Sequence, residues 1–318
     1  MFRAGLIAIV GLPNVGKSTL MNRILGQKIA IASPRPQTTR NRILGIHNTP
    51  EAQLVLVDTP GLPGLGRAAT GRRTELGRYM REESLAALAS VDAVLVIIEA
   101  PQRERLARTV EKGYQIGAEY RFLLGALQEN KKPTVLALNK VDAARDKRAL
   151  LPVLDAWQKT HPFRALVPIS ATTGEGVDRL ESELIAVLPE GERLFPEDVV
   201  TDRAERWLAA EMVREQVFLL TRQEVPYAVA VTIDTFEERP AHDDHPADVF
   251  IEAAIHVEKE AQKRILIGEG GRMVREIGSR ARGEISQLLD CPVHLKLFVR
   301  VEPEWTTDLR GLRKMGYE

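Results

Sequence analysis

An apolar run from Leu6 to Val10 ends at Gly11-Leu12-Pro13-Asn14-Val15-Gly16-Lys17-Ser18, and Thr19-Leu20-Met21 opens a helix-like stretch. Strand, glycine-bounded loop and helix in that order constrain the chain more than any other feature it has. Gly11 and Gly16 let backbone N–H groups turn inward around a phosphate, and the helix N-terminus adds its dipole. Asn14, Val15 and Thr19 belong to the same expected nucleotide wall. Lys17 is placed to bridge the outer phosphates and the Ser18 hydroxyl to bind magnesium. The pattern specifies a nucleoside triphosphate and leaves its base open.

The base is read further along. Thr134 to Leu138 is a strand-like run that ends in Asn139-Lys140-Val141-Asp142. A carboxylate at Asp142 accepts two hydrogen bonds from the ring N–H and exocyclic amine of guanine. Adenine offers neither donor there, and a site built for that pair rejects the wrong base because its own polar groups are left unpaired. GTP and GDP are therefore the expected ligands, and an ATP-dependent enzyme is disfavoured.

Two more motifs fall between and after these. Gln53 to Val57 leads into Asp58-Thr59-Pro60-Gly61-Leu62. An acidic residue at a strand end is placed to hold magnesium, and the Gly61 amide to meet the γ-phosphate. Leu166 to Ile169 leads into Ser170-Ala171-Thr172, whose backbone N–H groups are expected to meet the guanine carbonyl oxygen. Strands alternating with helical stretches, with the chemistry at strand ends, predict a doubly wound α/β sheet. The polar segment Pro36 to Arg40 suits a loop that orders around γ-phosphate and magnesium, with Thr39 as the favoured metal ligand beside Ser18 and Asp58. Lys17, Thr39, Asp58 and Gly61 are thus expected to carry the reaction. Leu62 stands where related enzymes use a glutamine to orient water, which predicts slow intrinsic hydrolysis.

The 318 residues allow about two domains. Hydrophobic content of 44% and charged content of 28% suit a soluble globular protein, and no apolar run is long enough to span a bilayer. No signal-peptide-like stretch precedes Phe2-Arg3, and the lone Cys291 excludes an internal disulfide and fits a reducing cytoplasm. Net charge is zero, so a nucleic-acid partner has to be argued from local charge. The expected division is 1–190 for the nucleotide domain, 191–201 for a linker rich in turn residues, and 202–318 for a second domain.

That second domain predicts a helix over Asp202 to Leu220, strands over Ala228 to Ile233 and Val249 to Val257, and an acidic turn over Glu237 to Asp248. The turn holds His242, Asp243, Asp244 and His245, without metal-ligand spacing. Downstream, Ile265-Leu266-Ile267-Gly268-Glu269-Gly270-Gly271-Arg272-Met273 places a glycine-bounded turn between two apolar-faced helices. This has the form of the G-x-x-G loop of a KH domain, which clamps the backbone of single-stranded nucleic acid. Ile267, Gly268, Glu269, Gly270, Gly271, Arg272, Arg275 and Arg280 are the expected RNA contacts. A strand over Val293 to Val301 and a terminal helix over Asp308 to Met315 complete a type II KH order, an α+β domain.

Nucleotide head and KH tail together resemble the Era family of bacterial ribosome-assembly GTPases. The resemblance rests on Gly11 to Ser18, Gln37 to Arg40, Asp58 to Leu62, Asn139 to Asp142 and Ser170-Ala171. In the tail it rests on Val225 to Val229, Phe236 to Glu238, Gly268 to Gly271 and Val293 to Trp305. It implies binding of the 3′ end of 16S rRNA, a role in 16S rRNA processing and 30S subunit biogenesis, a link to cell-cycle control and a monomeric chain. It also implies a cytoplasmic protein in peripheral contact with the cell membrane, and a potassium ion supported by Asn14. The chain departs from the family pattern in a long basic stretch over Pro63 to Thr74, an extended segment over Pro101 to Asn130, and Glu269 between the loop glycines. A carboxylate there works against phosphate binding. The alternative is a regulatory GTPase whose tail binds protein or membrane in place of RNA.

Overall fold

The computed structural model describes residues 1–33, 35, 37–61, 74–101, 114–242 and 246–317. Leu62, most of 63–74, the first part of 101–130 and residues 243–245 of the acidic turn therefore lie outside the described residues. The chain divides into two compact units, Met1–Arg72 with Met80–Asp202, and Arg73–Tyr79 with Arg203–Glu318.

In the first unit β1 (Arg3–Val10), α1 (Lys17–Leu25), β2 (Ile43–Asn48) and β3 (Ala52–Asp58) are followed by α2 (Glu75–Ala89), which counts here from Met80 on, and β4 (Ala93–Glu99). Then come α3 (Arg121–Asn130), β5 (Thr134–Asn139), α4 (Leu151–Gln158), β6 (Ala165–Pro168) and α5 (Val177–Val187). The sheet order is β2-β3-β1-β4-β5-β6, with β2 antiparallel to β3 and the other pairings parallel. The central strands are buried along nearly all their length. That explains why they read as continuous apolar runs, since a parallel sheet covered on both faces has no solvated side to alternate toward. The phosphate loop, Asp58, Asn139 and Ser170 lie at or just after the C-terminal ends of parallel strands, the edge where ligands bind in open α/β sheets, while Thr39 precedes the antiparallel β2.

Part of the apparent extension over 101–130 belongs to this core. Leu123 and Leu127 of α3 are buried, and Tyr120 stands edge-on to the buried Trp157 with ring centroids 4.9 Å apart. Residues 191–201, expected as a linker, join the units yet are bonded to the first. Gln53, fully buried, accepts from the amides of Leu194 and Phe195 and donates to the Phe195 carbonyl. Beyond it, Ile46 N–H donates to Val200 O, Gly45 bridges Thr201, and Leu44 N–H donates to Asp202.

The second unit contains α6 (Glu205–Leu220), β7 (Ala230–Arg239), β8 (Asp248–Val257), α7 (Glu260–Ile267), α8 (Arg272–Leu289), β9 (Val293–Val301) and α9 (Leu309–Lys314). β8 pairs antiparallel with β7 and parallel with β9, and Ile251, Ile255, Leu266, Ile277, Ala281 and Ile285 fill the core. The turn is shorter than expected, because Glu237, Glu238 and Arg239 pair with Phe250, Val249 and Asp248. Cross-strand hydrogen bonds override the weak β preference of Glu.

Inside this unit His256 is buried, with Nε2 2.8 Å from Thr232 Oγ1 and Nδ1 4.0 Å from Glu302. Burial lowers its pKa and outweighs the opposing pull of Glu302. The neutral ring is thus favoured in the folded state. Its contribution to stability is complete above the ordinary histidine value and is lost as pH falls through the lowered folded value. The urea midpoint of this unit is expected to drop on acidification below about pH 6.5, and less steeply in His256→Gln. Equal slopes in both proteins would remove His256 from the account.

Candidate functional site

The phosphate loop takes its shape from two close approaches. Gly16 has φ 100°, and a Cβ there would sit 2.3 Å from Asn139 Nδ2, while one on Gly11 would sit 2.4 Å from the Ile97 carbonyl oxygen. Behind the loop Lys17 is buried, its Nζ donating to the carbonyls of Gly11 and Leu12 at 3.4 and 3.2 Å. Burial pushes its pKa down, against the pull of Asp58. A cation in that position is stabilised when phosphates enter beside it.

The three expected metal ligands converge. Ser18 Oγ is 2.9 Å from Thr39 Oγ1 and donates to Asp58 Oδ2 at 2.7 Å, while Thr39 Oγ1 donates to the same oxygen at 3.2 Å. Asp58 is fully buried, its pKa raised first by desolvation, and its Oδ1 has no hydrogen-bond partner. Two hydroxyls and a carboxylate with a spare buried oxygen form a hard donor set that fits Mg2+. Thr59 and Pro60, expected at the nucleotide, serve the frame: Thr59 Oγ1 donates to the Ile9 carbonyl at 2.9 Å, and Pro60 O accepts from Ser84 Oγ at 2.8 Å. Gly61 lines the pocket with Lys17 and Thr39, and Leu62 falls outside the described residues.

A cavity of about 450 Å³ joins these groups to the base end, where Asn139, Lys140, Asp142, Ala171 and Thr172 line it. Asn139 is a tie: Nδ2 donates to the Val15 carbonyl at 2.7 Å and Oδ1 accepts from the Ala171 amide at 2.9 Å. Lys140 has φ 65° and pairs with Glu99 at 2.9 Å. Asp142 is exposed at the rim and makes no hydrogen bond or ion pair among the described residues, so both oxygens are available to a base.

The Ser170-Ala171 amides differ from expectation. The Ser170 N–H donates to the Glu175 carbonyl and that of Ala171 to Asn139, whereas the Thr172 amide makes no hydrogen bond among the described residues. Sequence reading also missed Ile31, Ala32, Ser33 and Arg35 in the pocket wall, and Arg23, which donates to the carbonyls of Ala171 and Thr172. No motif marks those positions, and the segment expected as a ligand loop, Pro36 to Arg40, begins after them.

In the second unit the turn between α7 and α8 has Gly268, Gly270 and Gly271 at φ 69°, 56° and 77°. A Cβ on Gly268 would also crowd Met273, 2.9 Å away, whereas Gly270 faces open space. Ile265 and Ile267 are exposed beside the turn. Gly271 caps α8, whose first turn carries Arg272 and Arg275. Arg280 is engaged in its own helix, 2.7 Å from Glu276, and so is less available than expected.

Residues 6–140 match the family described as 50S ribosome-binding GTPase, and residues 224–306 the KH domain. GTPase Era of Geobacter metallireducens is 46% identical over 99% of this chain and 98% of its own length. The chain belongs to the Era family of GTPases. Era of Lacticaseibacillus paracasei is 43% identical over 99% of this chain and 96% of its own. Among solved structures, an Era variant of Aquifex aeolicus bound to GDP and AlF4− superposes with a TM-score of 0.87 at 38% identity, covering 99% of both chains. Era in complex with MgGDPNP and nucleotides 1506–1542 of 16S ribosomal RNA gives the same TM-score and identity, covering 100% of this chain and 99% of the other. As an Era-family enzyme the chain hydrolyses GTP to GDP and phosphate.

Proposed function

We propose that this GTPase is a nucleotide-controlled binder of the 3′ region of 16S rRNA that acts in 16S rRNA processing and 30S subunit biogenesis. The observation that carries the reading is the turn Gly268–Gly271, a left-handed glycine hinge opening onto the N-terminus of α8, in the same chain as a guanine-reading pocket. A helix N-terminus beside Arg272 and Arg275 attracts phosphate, and exposed Ile265 and Ile267 offer apolar surface to unstacked bases. The complex of Era with a 16S rRNA fragment supports the same assignment.

At the nucleotide, Lys17 contacts the outer phosphates, Ser18, Thr39 and Asp58 hold Mg2+, and the Gly61 amide faces the γ-phosphate. Bound there, Mg2+ neutralises charge on the phosphate oxygens. Asp142 selects guanine, Asn139 fixes the distance between phosphate loop and base loop, and Asn14 supports K+. Thr39 and the segment around Leu62 respond to the γ-phosphate, and that response is coupled to RNA affinity. The protein acts as a cytoplasmic monomer, in peripheral contact with the cell membrane and with a link to cell-cycle control. Among the described residues no helix is long and apolar enough to cross a membrane.

Filter binding of a short single strand from the 3′ end of 16S rRNA is expected to differ in the presence of GDP and of a non-hydrolysable GTP analogue. Equal affinities would end the switch proposal, since a ligand with no differential affinity shifts nothing.

A further inference from the structure

The pocket wall contains a cation that no motif accounts for. Arg35 lines the same cavity as Lys17, Thr39 and Gly61. Its Nη1 is shut off from solvent and has no hydrogen-bond partner. The backbone that carries it is held on both sides: its N–H donates to Ser33 Oγ at 3.0 Å, and its carbonyl accepts from Thr38 Oγ1 at 2.7 Å. Thr38 also lines the pocket, and it adjoins Thr39, whose hydroxyl meets Ser18 and Asp58.

Arg35 is half-buried, and only this one nitrogen of its guanidinium is kept from water without an acceptor. A dry nitrogen without an acceptor is costly, and the cost is relieved when an anion supplies the acceptor. The acids of the site do not fill that role. Asp58 is fully buried outside the pocket lining and makes no bond to Arg35 Nη1, and Asp142 stands at the base end with no ion pair among the described residues. Lys140 is paired with Glu99. The phosphate chain of the nucleotide remains, and the planar fork of a guanidinium fits two phosphate oxygens at once.

We infer that Arg35 binds the phosphate chain of GTP and GDP directly, as a second cation beside Lys17. The inference rests on the assignment of this cavity to guanine nucleotide. It adds a contact from the segment between α1 and Thr39, which the motifs leave without a named phosphate ligand.

The test uses the full chain with Arg35→Ala and Arg35→Lys, titrated with fluorescent GDP and a non-hydrolysable GTP analogue. Unchanged circular dichroism and melting confirm that the variants fold. Arg35→Ala is expected to weaken nucleotide by about tenfold or more, the usual scale for a charge-assisted hydrogen bond, with Arg35→Lys intermediate. Added guanidinium, at millimolar levels well below denaturing, is expected to restore part of the affinity of Arg35→Ala and none of that of Lys17→Ala. A purely structural role for Arg35 would give no such rescue. Wild-type affinity in Arg35→Ala, or a loss that guanidinium does not rescue, overturns the inference. Failure of the wild-type chain to bind either nucleotide would instead overturn the assignment of the cavity.

Discussion

Asp142→Asn is expected to lower GTP affinity by about 10⁴-fold, the scale on which a site built for hydrogen bonds rejects a ligand that cannot make them. Asp142 has no other task among the described residues, where it makes no hydrogen bond or ion pair. The substitution therefore leaves the frame alone. Asn139 still ties Val15 to Ala171, and Lys17 still has its phosphate-facing position. An amide in place of the carboxylate presents one donor where guanine also presents a donor. Xanthine carries a carbonyl there, so xanthosine triphosphate should bind the variant better than it binds the wild type. Competition titrations with both nucleotides measure the exchange, and unchanged GTP affinity would refute the role of Asp142.

The second large effect belongs to the other unit. Gly270→Asp combined with Gly271→Asp is expected to weaken binding of single-stranded 16S rRNA by about 100-fold, because like charges set against phosphates cost several kcal/mol. Glu269 already contributes one carboxylate to this turn. Both glycines have positive φ, which aspartate tolerates better than most residues, and Gly270 has open space around it. The unit should therefore stay folded, and GTP hydrolysis without RNA should be unchanged. Gel-shift titrations read the RNA loss. Wild-type RNA affinity in the double variant would move the tail toward the alternative of a protein- or membrane-binding surface.

Much of the nucleotide pocket was legible because its chemistry is tied to strand ends. Lys17, Ser18, Asp58, Asn139 and Asp142 each follow an apolar run that could only be a buried strand, and the fold brings those ends together. What could not be read was the disposition of individual polar groups. The amides of Ser170 and Ala171 lie in the right loop, but Ser170 donates to Glu175 of that loop and Ala171 to the Asn139 side chain. Thr59 sits inside a motif, yet its hydroxyl holds Ile9 of the neighbouring strand. Arg35 had no motif to mark it, since its placement depends on how the whole segment from Ile31 to Thr39 folds over the pocket. Residues 191–201 read as a linker from the breaker stretch Pro189 to Pro196 with its glycine. Their attachment rests on the buried Gln53 and on the β2 strand, whose partners in that segment all lie more than a hundred positions away.

That attachment bears on the order of events during synthesis. β2 is an edge of the first sheet, and Asn48 Nδ2 donates to the carbonyl of Glu197, 149 residues later in the chain, while its Oδ1 accepts from the nearby Gln53. At about 5–20 residues per second, roughly seven to thirty seconds pass between the emergence of the strand and the arrival of the segment that covers it. During that interval the nascent sheet presents an open edge, the element through which chains recruit one another. The chain is thus exposed to misassembly until residues 191–201 have been made.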